Sequence, residues 1–353
     1  MRKIVLIATA VTSIISAQVS DKEIANMFML GFYGTSSNDS AIKSDICKGL
    51  GGVIVFQKSP VNRGAAKNFT NANSLKALSS DLKSCGTKPL IAVDQEGGVV
   101  QRIKLTRKYP KASTVAKMGR ENAFKTYYAM SKELNGLGVN LNLAPVVDLA
   151  LNPQNRVIVK WGRSYGKRAA NVINYAGAFI DAMHANGVLT SIKHFPGHGS
   201  SLGDTHKGFV DVTNLWQAKE LEPYQALKGA TDTVMVAHIF NKKLDPKYPA
   251  SLSRDIVTRL LRGKIGYRGV VITDDLQMGA IAKHYSLANR IALAINAGDD
   301  ILLFANQVHP KRVIKIEKLI SIVRSLLKSG AVSETSIKNA NARINALKAK
   351  LWN

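Results

Sequence analysis

The chain has 353 residues, a hydrophobic content of 46% and a formal net charge of +25. The hydrophobic content excludes an intrinsically disordered protein, and 27 Gly with 10 Pro are too few for a collagen-like fibre. Two Cys in so long a chain exclude a disulfide scaffold. The excess of basic residues alone would suit a nucleic acid, an anionic membrane surface or an acidic polymer as partner.

Residues 1–17 have the pattern of a secretory signal peptide. Two basic residues precede an uncharged apolar run that ends at Ser16, and Ala17 is a small residue at a plausible cleavage position. The run is shorter than the roughly 20 residues that a membrane-spanning helix needs. We therefore expect residues 18–353 to be exported, to a bacterial periplasm, without stable membrane insertion. A buried first strand or helix is the alternative.

Cys47 and Cys85 each stand just before an apolar run and after a segment with helical spacing. Equivalent positions on successive units of a repeat lie side by side, so in an oxidising compartment the two residues can form a disulfide. Two separate buried thiols are the other possibility, and the sequence does not decide between them.

Eight short apolar runs recur along the chain, and most are continuous rather than alternating. Continuous apolar runs are typical of parallel strands buried on both faces. They cover residues 28–34, 51–56, 89–94, 140–149, 188–195, 232–240, 269–275 and 299–305. Eight strands alternating with helices predict a (β/α)8 TIM barrel in a single domain. An open doubly wound sheet is the alternative, but the first run lacks the Gly-rich phosphate loop of that fold.

The segments between the runs have helical spacing. The predicted helices are 120–137, 168–186, 218–228, 253–264, 287–296 and 311–328. We expect residues 331–353 to form a terminal helix packed on the barrel. Ten basic residues lie in 311–350, and on amphipathic helices they are most simply a solvated outer face.

Polar residues end five of the eight runs. They are Asp94, Asp148, Lys193 with His194, His238, and Asp274 with Asp275. Because the chemistry of such barrels occurs at the C-terminal ends of the strands, this ring predicts an active site at one mouth. Glu96 is a tempting general acid, but we expect it to hold the tight turn at Gly97 and Gly98.

The segment after the fifth run carries the most specific pattern. Lys193 and His194 are followed by a glycine-rich loop that presents Asp204 and His206. Residues two apart in an extended loop point to the same side, so the carboxylate can fix the imidazole tautomer and leave the other nitrogen for proton transfer. His194, His198 and His206 could instead ligate zinc, but their spacing matches no HExxH-type pattern. We therefore predict neither a metal nor a cofactor.

Three motifs resemble those of family 3 glycoside hydrolases of the β-N-acetylglucosaminidase type. They are AVDQEGGVVQR (92–102), KHFPGHG followed by DTH (193–206), and ITDDLQM (272–278). They occur in the family's order, and the strand and helix rhythm matches over residues 24–350. The family often has Arg where Val99 stands and Ser where Thr205 stands. The chain ends soon after the eighth unit, which resembles the members without a second, sandwich-like domain.

The resemblance implies a role for each matched position. Asp274 corresponds to the catalytic nucleophile, and His206 with Asp204 corresponds to an acid/base dyad. Asp94 corresponds to the carboxylate that holds sugar hydroxyls. The residues that correspond to those gripping the N-acetylhexose are Arg102, Arg163, Lys193 and His194.

The chemistry of the residues agrees with this assignment. Retaining hydrolysis needs a carboxylate nucleophile on one face of the anomeric carbon and a proton donor on the other. Asp274 on a strand end suits the first role, whereas Asp275 would point to the other side of the strand. An imidazole has an ordinary pKa of about 6.5, so His206 can act as an acid and then as a base near neutral pH.

The sequence thus predicts a retaining exo-β-N-acetylglucosaminidase that removes terminal β-linked GlcNAc from peptidoglycan-derived muropeptides. A β-glucosidase, a GlcNAc phosphorylase of the same fold and a non-catalytic cell-wall-binding protein are the alternatives. We expect a monomer with carbohydrate as its partner. Nucleic-acid binding would need interleaved aromatics or a known module, and we find neither in the sequence.

Overall fold

The computed structural model describes residues 18–39, 41–59, 61, 64–204 and 208–352. The predicted signal peptide, residues 1–17, lies outside the described residues and stays a prediction. Segment 205–207, which contains the predicted acid/base residue His206, also lies outside them.

Eight parallel strands form one closed sheet. They are β1 (Phe28–Leu30), β2 (Gly52–Ile54), β3 (Leu90–Val93), β4 (Leu141–Asn142), β5 (Leu189–Phe195), β6 (Thr233–Val236), β7 (Val270–Thr273) and β8 (Leu302–Phe304). Each strand pairs with the next along the chain from β1 to β7, and β8 pairs with β1. A parallel bridge between Ile272 and Ile301 joins β7 to the start of β8 and closes the barrel. The predicted (β/α)8 barrel is confirmed.

A helix follows each strand. The helices are Ile42–Cys47, Ala72–Lys83, Arg120–Gly136, Ala169–His184, Glu222–Leu227, the π-helical Asp255–Lys264, Leu287–Ala297 and Ile316–Lys328. In the fourth, Val172, Ala176, Phe179 and Met183 are all buried, at the spacing of a single helical face. Helix Asp21–Asn26 precedes β1, and helix Glu334–Ala349 follows the last barrel helix, as expected for the terminal segment.

All eight apolar runs are longer than the strands they contain, and the difference is largest in runs 140–149 and 232–240. Strand β4 ends at Asn142 because Pro145 has no N–H to donate to a ladder, and pairing with β5 resumes only at the bridge between Val146 and Lys193. The run 232–240 contains β6 and then a separate pair, Ile239–Phe240 with Val210–Asp211. The segments beyond the barrel strands are therefore loops that carry polar residues at the mouth.

Cys47 and Cys85 form a disulfide, with their Cα atoms 5.0 Å apart. The bond ties the end of the helix after β1 to the segment that enters β3. Of the two possibilities left by the sequence, the structure contains the disulfide. No helix in the described part of the chain is long and apolar enough to cross a membrane.

Candidate active site

The C-terminal ends of the barrel strands bring several of the predicted residues to one mouth. Asp94 follows β3, Lys193 and His194 lie in β5, and Asp274 follows β7. The Lys193 Nζ donates to Asp94 Oδ1 at 2.7 Å, although 99 positions separate the two residues. Parallel strands with one common direction place such distant residues together, as the sequence predicted.

A buried network of two cations and two carboxylates occupies one side of the mouth. Lys193 is 3% exposed and pairs with Asp94 and with Glu96 Oε1, the latter at 2.9 Å. Arg163 donates from Nη2 to Glu96 Oε1 at 2.7 Å and from Nε to Oε2 at 2.8 Å. Burial alone would raise the pKa of Glu96, but the charges of Arg163 and Lys193 hold that pKa well below its ordinary value. The carboxylate therefore stays ionised.

The expectation that Glu96 serves the Gly97–Gly98 turn is wrong. Its carboxylate binds the site cations, while the turn is formed by the hairpin of Gln95–Gly97 with Val100–Gln101, in which both glycines have positive φ. A left-handed backbone there needs glycine and no side-chain support. Sequence reasoning missed this role because Arg163 lies 67 positions away from Glu96.

Asp148 organises the two histidines of the KHFPGHG segment. It is 1% exposed, and its carboxylate accepts hydrogen bonds from the His194 ring Nδ1 at 2.7 Å and from the His198 backbone N–H at 2.8 Å. Burial would raise the pKa of Asp148, but the charge and the hydrogen bond of His194 lower it. An ionised Asp148 makes Nδ1 of His194 the protonated nitrogen, which leaves Nε2 for a ligand.

His198 is a buried, neutral histidine. Burial and the neighbouring His194 lower the pKa of His198 to about 4, and its Nδ1 lies 2.6 Å from the Ser201 hydroxyl. The described residues contain no group of three or more His, Cys, Asp or Glu side chains that could hold a metal ion.

Asp274 and Asp275 have different surroundings although they are adjacent. The Asp274 N–H donates to Val236 O at 2.9 Å, which ties this strand end to β6, and Asp274 Oδ1 accepts the Asp275 N–H at 2.8 Å. Asp275 Oδ1 accepts the backbone N–H groups of Gln277 and Ala305, at 3.0 and 3.2 Å. Burial raises the pKa of Asp275 to about 6. Asp275 thus has the surroundings of a structural carboxylate, and Asp274 stays the predicted nucleophile.

Contacts with neighbouring segments hold the first half of the loop after β5 in place. Asn155 Nδ2 donates to His198 O at 2.8 Å, and a Cβ on Gly199 would overlap the Leu149 carbonyl oxygen, so only glycine fits there. Asp204 is half-buried at the far end of this described stretch. The pairing of Asp204 with His206 stays a prediction.

Two further residues complete the description of the mouth. Arg102 is exposed, and its backbone N–H donates to Asp94 O at 3.3 Å, so it stands on the rim rather than in the buried network. Lys67, in the loop after β2, is fully buried and was not predicted as a site residue. A single lysine in a polar loop carries no sequence signal that would have identified it.

The structure is thus a (β/α)8 barrel with carboxylates and basic side chains at the C-terminal ends of its strands. Residues 19–347 match the family model described as Glycosyl hydrolase family 3 N terminal domain. The chain therefore belongs to glycosyl hydrolase family 3, and the predicted class of enzyme is confirmed.

Individual relatives agree with this assignment. The chain is 34% identical to Beta-hexosaminidase A of Pseudoalteromonas piscicida, over 86% of this chain and 54% of that protein. It is 33% identical to Beta-hexosaminidase of Xylella fastidiosa strain 9a5c, over 81% of this chain and 84% of that protein. The chain thus spans about half the length of the first relative and most of the second.

Solved structures show the same barrel. A family 3 β-N-acetylglucosaminidase from Paenibacillus sp. str. FPU-7 superposes with a TM-score of 0.85 at 30% identity, covering 95% of this chain and 63% of that one. Beta-N-acetylhexosaminidase from Beutenbergia cavernae DSM 12333 superposes with a TM-score of 0.83 at 28% identity, covering 94% of this chain and 99% of that one.

Proposed function

We propose that this protein is a retaining exo-β-N-acetylhexosaminidase that removes terminal β-linked GlcNAc, with Asp274 as its nucleophile. The observation that carries the proposal is the position of the Asp274 carboxylate, which is fixed at the end of β7 in the same mouth as the Asp94–Lys193–Glu96–Arg163 network. The beta-hexosaminidase and β-N-acetylglucosaminidase names of similar proteins support the choice of sugar.

The proposed reaction has two steps. In the first, an Asp274 oxygen forms a bond to the anomeric carbon while the glycosidic bond breaks, and His206 gives its proton to the departing oxygen. Asp204 stabilises the imidazolium that His206 starts from. In the second, water attacks the anomeric carbon, His206 takes the proton from that water, and the Asp274 carboxylate leaves. Two inversions give net retention.

The buried network supplies the recognition of the sugar in this proposal. Asp94 is 20% exposed and stays close to Lys193, so its carboxylate is pre-positioned to accept hydrogen bonds from sugar hydroxyls. Lys193 and Arg163 provide donors, and the unprotonated Nε2 of His194 provides an acceptor. Because the cations are already paired with carboxylates, they need little reorganisation when the neutral sugar binds.

Replacement of Asp274 by Ala tests the nucleophile. Turnover of 4-nitrophenyl GlcNAc should fall on the order of 10⁴-fold or more, and azide should restore release of nitrophenol with an α-glycosyl azide as product. Glu121→Gln, a change on an exposed helix surface, is the matched control. Undiminished turnover by the Asp274 variant would exclude the proposal.

The acid/base dyad has a separate test. The His206→Ala variant should turn over methylumbelliferyl GlcNAc slowly, because that leaving group needs a proton. It should turn over 2,4-dinitrophenyl GlcNAc much faster, because 2,4-dinitrophenolate departs without a proton. Asp204→Asn should show the same dependence more weakly. A loss that is equal for both leaving groups would argue that His206 is not the proton donor.

The proposal also names a natural substrate and a cellular compartment. The signal-peptide pattern of residues 1–17 supports export, and a basic chain is attracted to an anionic envelope. We therefore propose periplasmic muropeptides as substrates. Comparing kcat/KM for GlcNAc-anhydro-muropeptides with that for chitobiose tests this choice, and a preference for chitobiose would contradict it. Analysis of products in phosphate buffer separates hydrolysis from phosphorolysis.

A further inference from the structure

Lys67 is a fully buried lysine beside the mouth of the barrel. Its Nζ donates hydrogen bonds to Ala305 O at 2.9 Å and to Asn306 O at 3.1 Å. The rings of Phe56 and Tyr33 cover it, with centroids 4.5 and 5.1 Å from the Nζ. The loop after β2 thus inserts a cation into the turn that follows β8.

Burial of this ammonium is costly. The surrounding rings are apolar, and burial lowers the pKa of Lys67 to about 7, while the charge of Asp275 opposes that shift. A well-packed apolar side chain at this position would avoid the desolvation of a charge. The hydrogen bonds to the two carbonyl groups therefore account for a lysine at this position.

Those carbonyls belong to a turn that supports Asp275. Ala305 N–H donates to Asp275 Oδ1 at 3.2 Å. Asn306 N–H donates to Gln277 Oε1 at 2.7 Å, and Gln277 Nε2 donates back to Asn306 Oδ1 at 3.1 Å. Asn306 has a φ of 47°, a left-handed conformation that asparagine adopts more readily than most other non-glycine residues.

The support continues to Asp274. The Gln277 N–H donates to Asp275 Oδ1 at 3.0 Å, and the Asp275 N–H donates to Asp274 Oδ1 at 2.8 Å. A continuous series of hydrogen bonds therefore joins Lys67, through the turn at 305–306 and through Asp275, to the carboxylate of Asp274.

We propose that Lys67 is a positioning residue for the Asp274 carboxylate. Lys67 holds the turn at Ala305–Asn306, that turn holds Asp275, and Asp275 in turn holds the carboxylate of Asp274. The inference rests on the proposed function, because it assumes that Asp274 attacks the sugar. Lys67 does not contact the substrate, so its effect should appear in the chemical step rather than in binding.

Lys67→Met is the first test, since it keeps the side chain's length and removes its charge. We expect kcat to fall about tenfold to a hundredfold, because small displacements of a reacting group have effects of that size, while KM changes less than twofold. The loss should be equal for 4-nitrophenyl and 2,4-dinitrophenyl leaving groups, because a nucleophile acts on both. A change that only weakens the fold would lower the melting temperature and leave kcat of the folded enzyme unaltered.

Lys67→Arg keeps the cation and should retain a kcat clearly above that of the Met variant; equal kcat values for the two would overturn the proposal. Lys76→Met, an exposed position on the helix after β2, is the matched control.

If Lys67→Met does not fold, Lys67→Gln replaces it. The glutamine amide can still donate hydrogen bonds, so we expect a kcat below that of the wild type but above that of a variant without a donor. Wild-type kcat in the Met or Gln variant, beside an inactive Asp274→Ala, would refute this inference alone. Activity in Asp274→Ala would refute the proposed function instead.

Discussion

Arg163 binds Glu96 through two parallel hydrogen bonds, from Nη2 and Nε to the two carboxylate oxygens, in a site where both side chains are less than a tenth exposed. Lys193 bonds to one of the same oxygens. Glu96 is therefore the carboxylate that holds together the two cations of the buried network at the mouth. Bidentate pairing fixes the orientation of the guanidinium as well as its distance.

Glu96→Gln should destabilise the protein and weaken substrate binding. The amide keeps one acceptor oxygen but leaves Arg163 and Lys193 with Asp94 as their main counter-charge. Breaking a buried ion pair in this way costs about 3–5 kcal/mol, and we expect KM to rise because the two donors reorient. Urea denaturation and steady-state kinetics measure the two effects. A variant with unchanged KM and stability would show that the network is dispensable.

Asp148→Asn should disturb the tautomer of His194. An amide presents a donor as well as an acceptor, so it can place the proton of His194 on Nε2 instead of Nδ1. We expect kcat/KM to fall about tenfold to a hundredfold, as for other changes in the groups that orient a functional histidine. Nitrogen NMR shifts of the labelled histidine ring report the tautomer directly. An unaltered His194 tautomer together with a large loss of activity would require another explanation.

Glu220 should make stability depend on pH. It is 1% exposed beneath Gly197, at the start of the loop that carries Asp204, and burial raises its pKa from 4.5 to about 7. A folded-state pKa above the unfolded one means that the contribution to stability is complete below pH 4.5 and is lost as the pH rises through about 7. Glu220→Gln should therefore be more stable than the wild type at pH 8, by up to about 3 kcal/mol.

The measurement for Glu220 is the difference in unfolding free energy between wild type and variant at pH 5 and at pH 8. Glu222→Gln, an exposed neighbour, serves as control. A difference that does not grow between these two pH values would mean that Glu220 is ionised throughout in the folded protein.

The disulfide should contribute substantially to stability. Cys47 and Cys85 are 38 positions apart, and closing a loop of that length restricts the unfolded chain by about 3–4 kcal/mol in the chain-entropy estimate. The double variant Cys47→Ser/Cys85→Ser should lose a stability of that order, and reduction of the wild type should lower its melting temperature similarly. Because the bond lies before β3, away from the C-terminal strand ends that form the mouth, kcat of the folded variant should stay close to that of the wild type.

The sequence determined the barrel and the motif residues because both depend on local patterns. Continuous apolar runs indicate buried parallel strands, and the rule that chemistry occurs at strand ends placed Asp94, Lys193 and Asp274 at one mouth. The ends of the strands were less predictable. At β4, Pro145 interrupts the ladder within an apolar run, so a segment that reads as strand is partly loop.

Only the tertiary structure decided which of these residues touch. Glu96 pairs with Arg163 from a different strand-end loop, Lys67 reaches the turn after β8, and Cys47 bonds to Cys85. Each contact joins residues far apart in the chain, and the distance between them is set by which strands are neighbours in the sheet rather than by spacing in the sequence. A side chain's type fixes the bonds it can form, but its partner depends on which loops the closed sheet brings together.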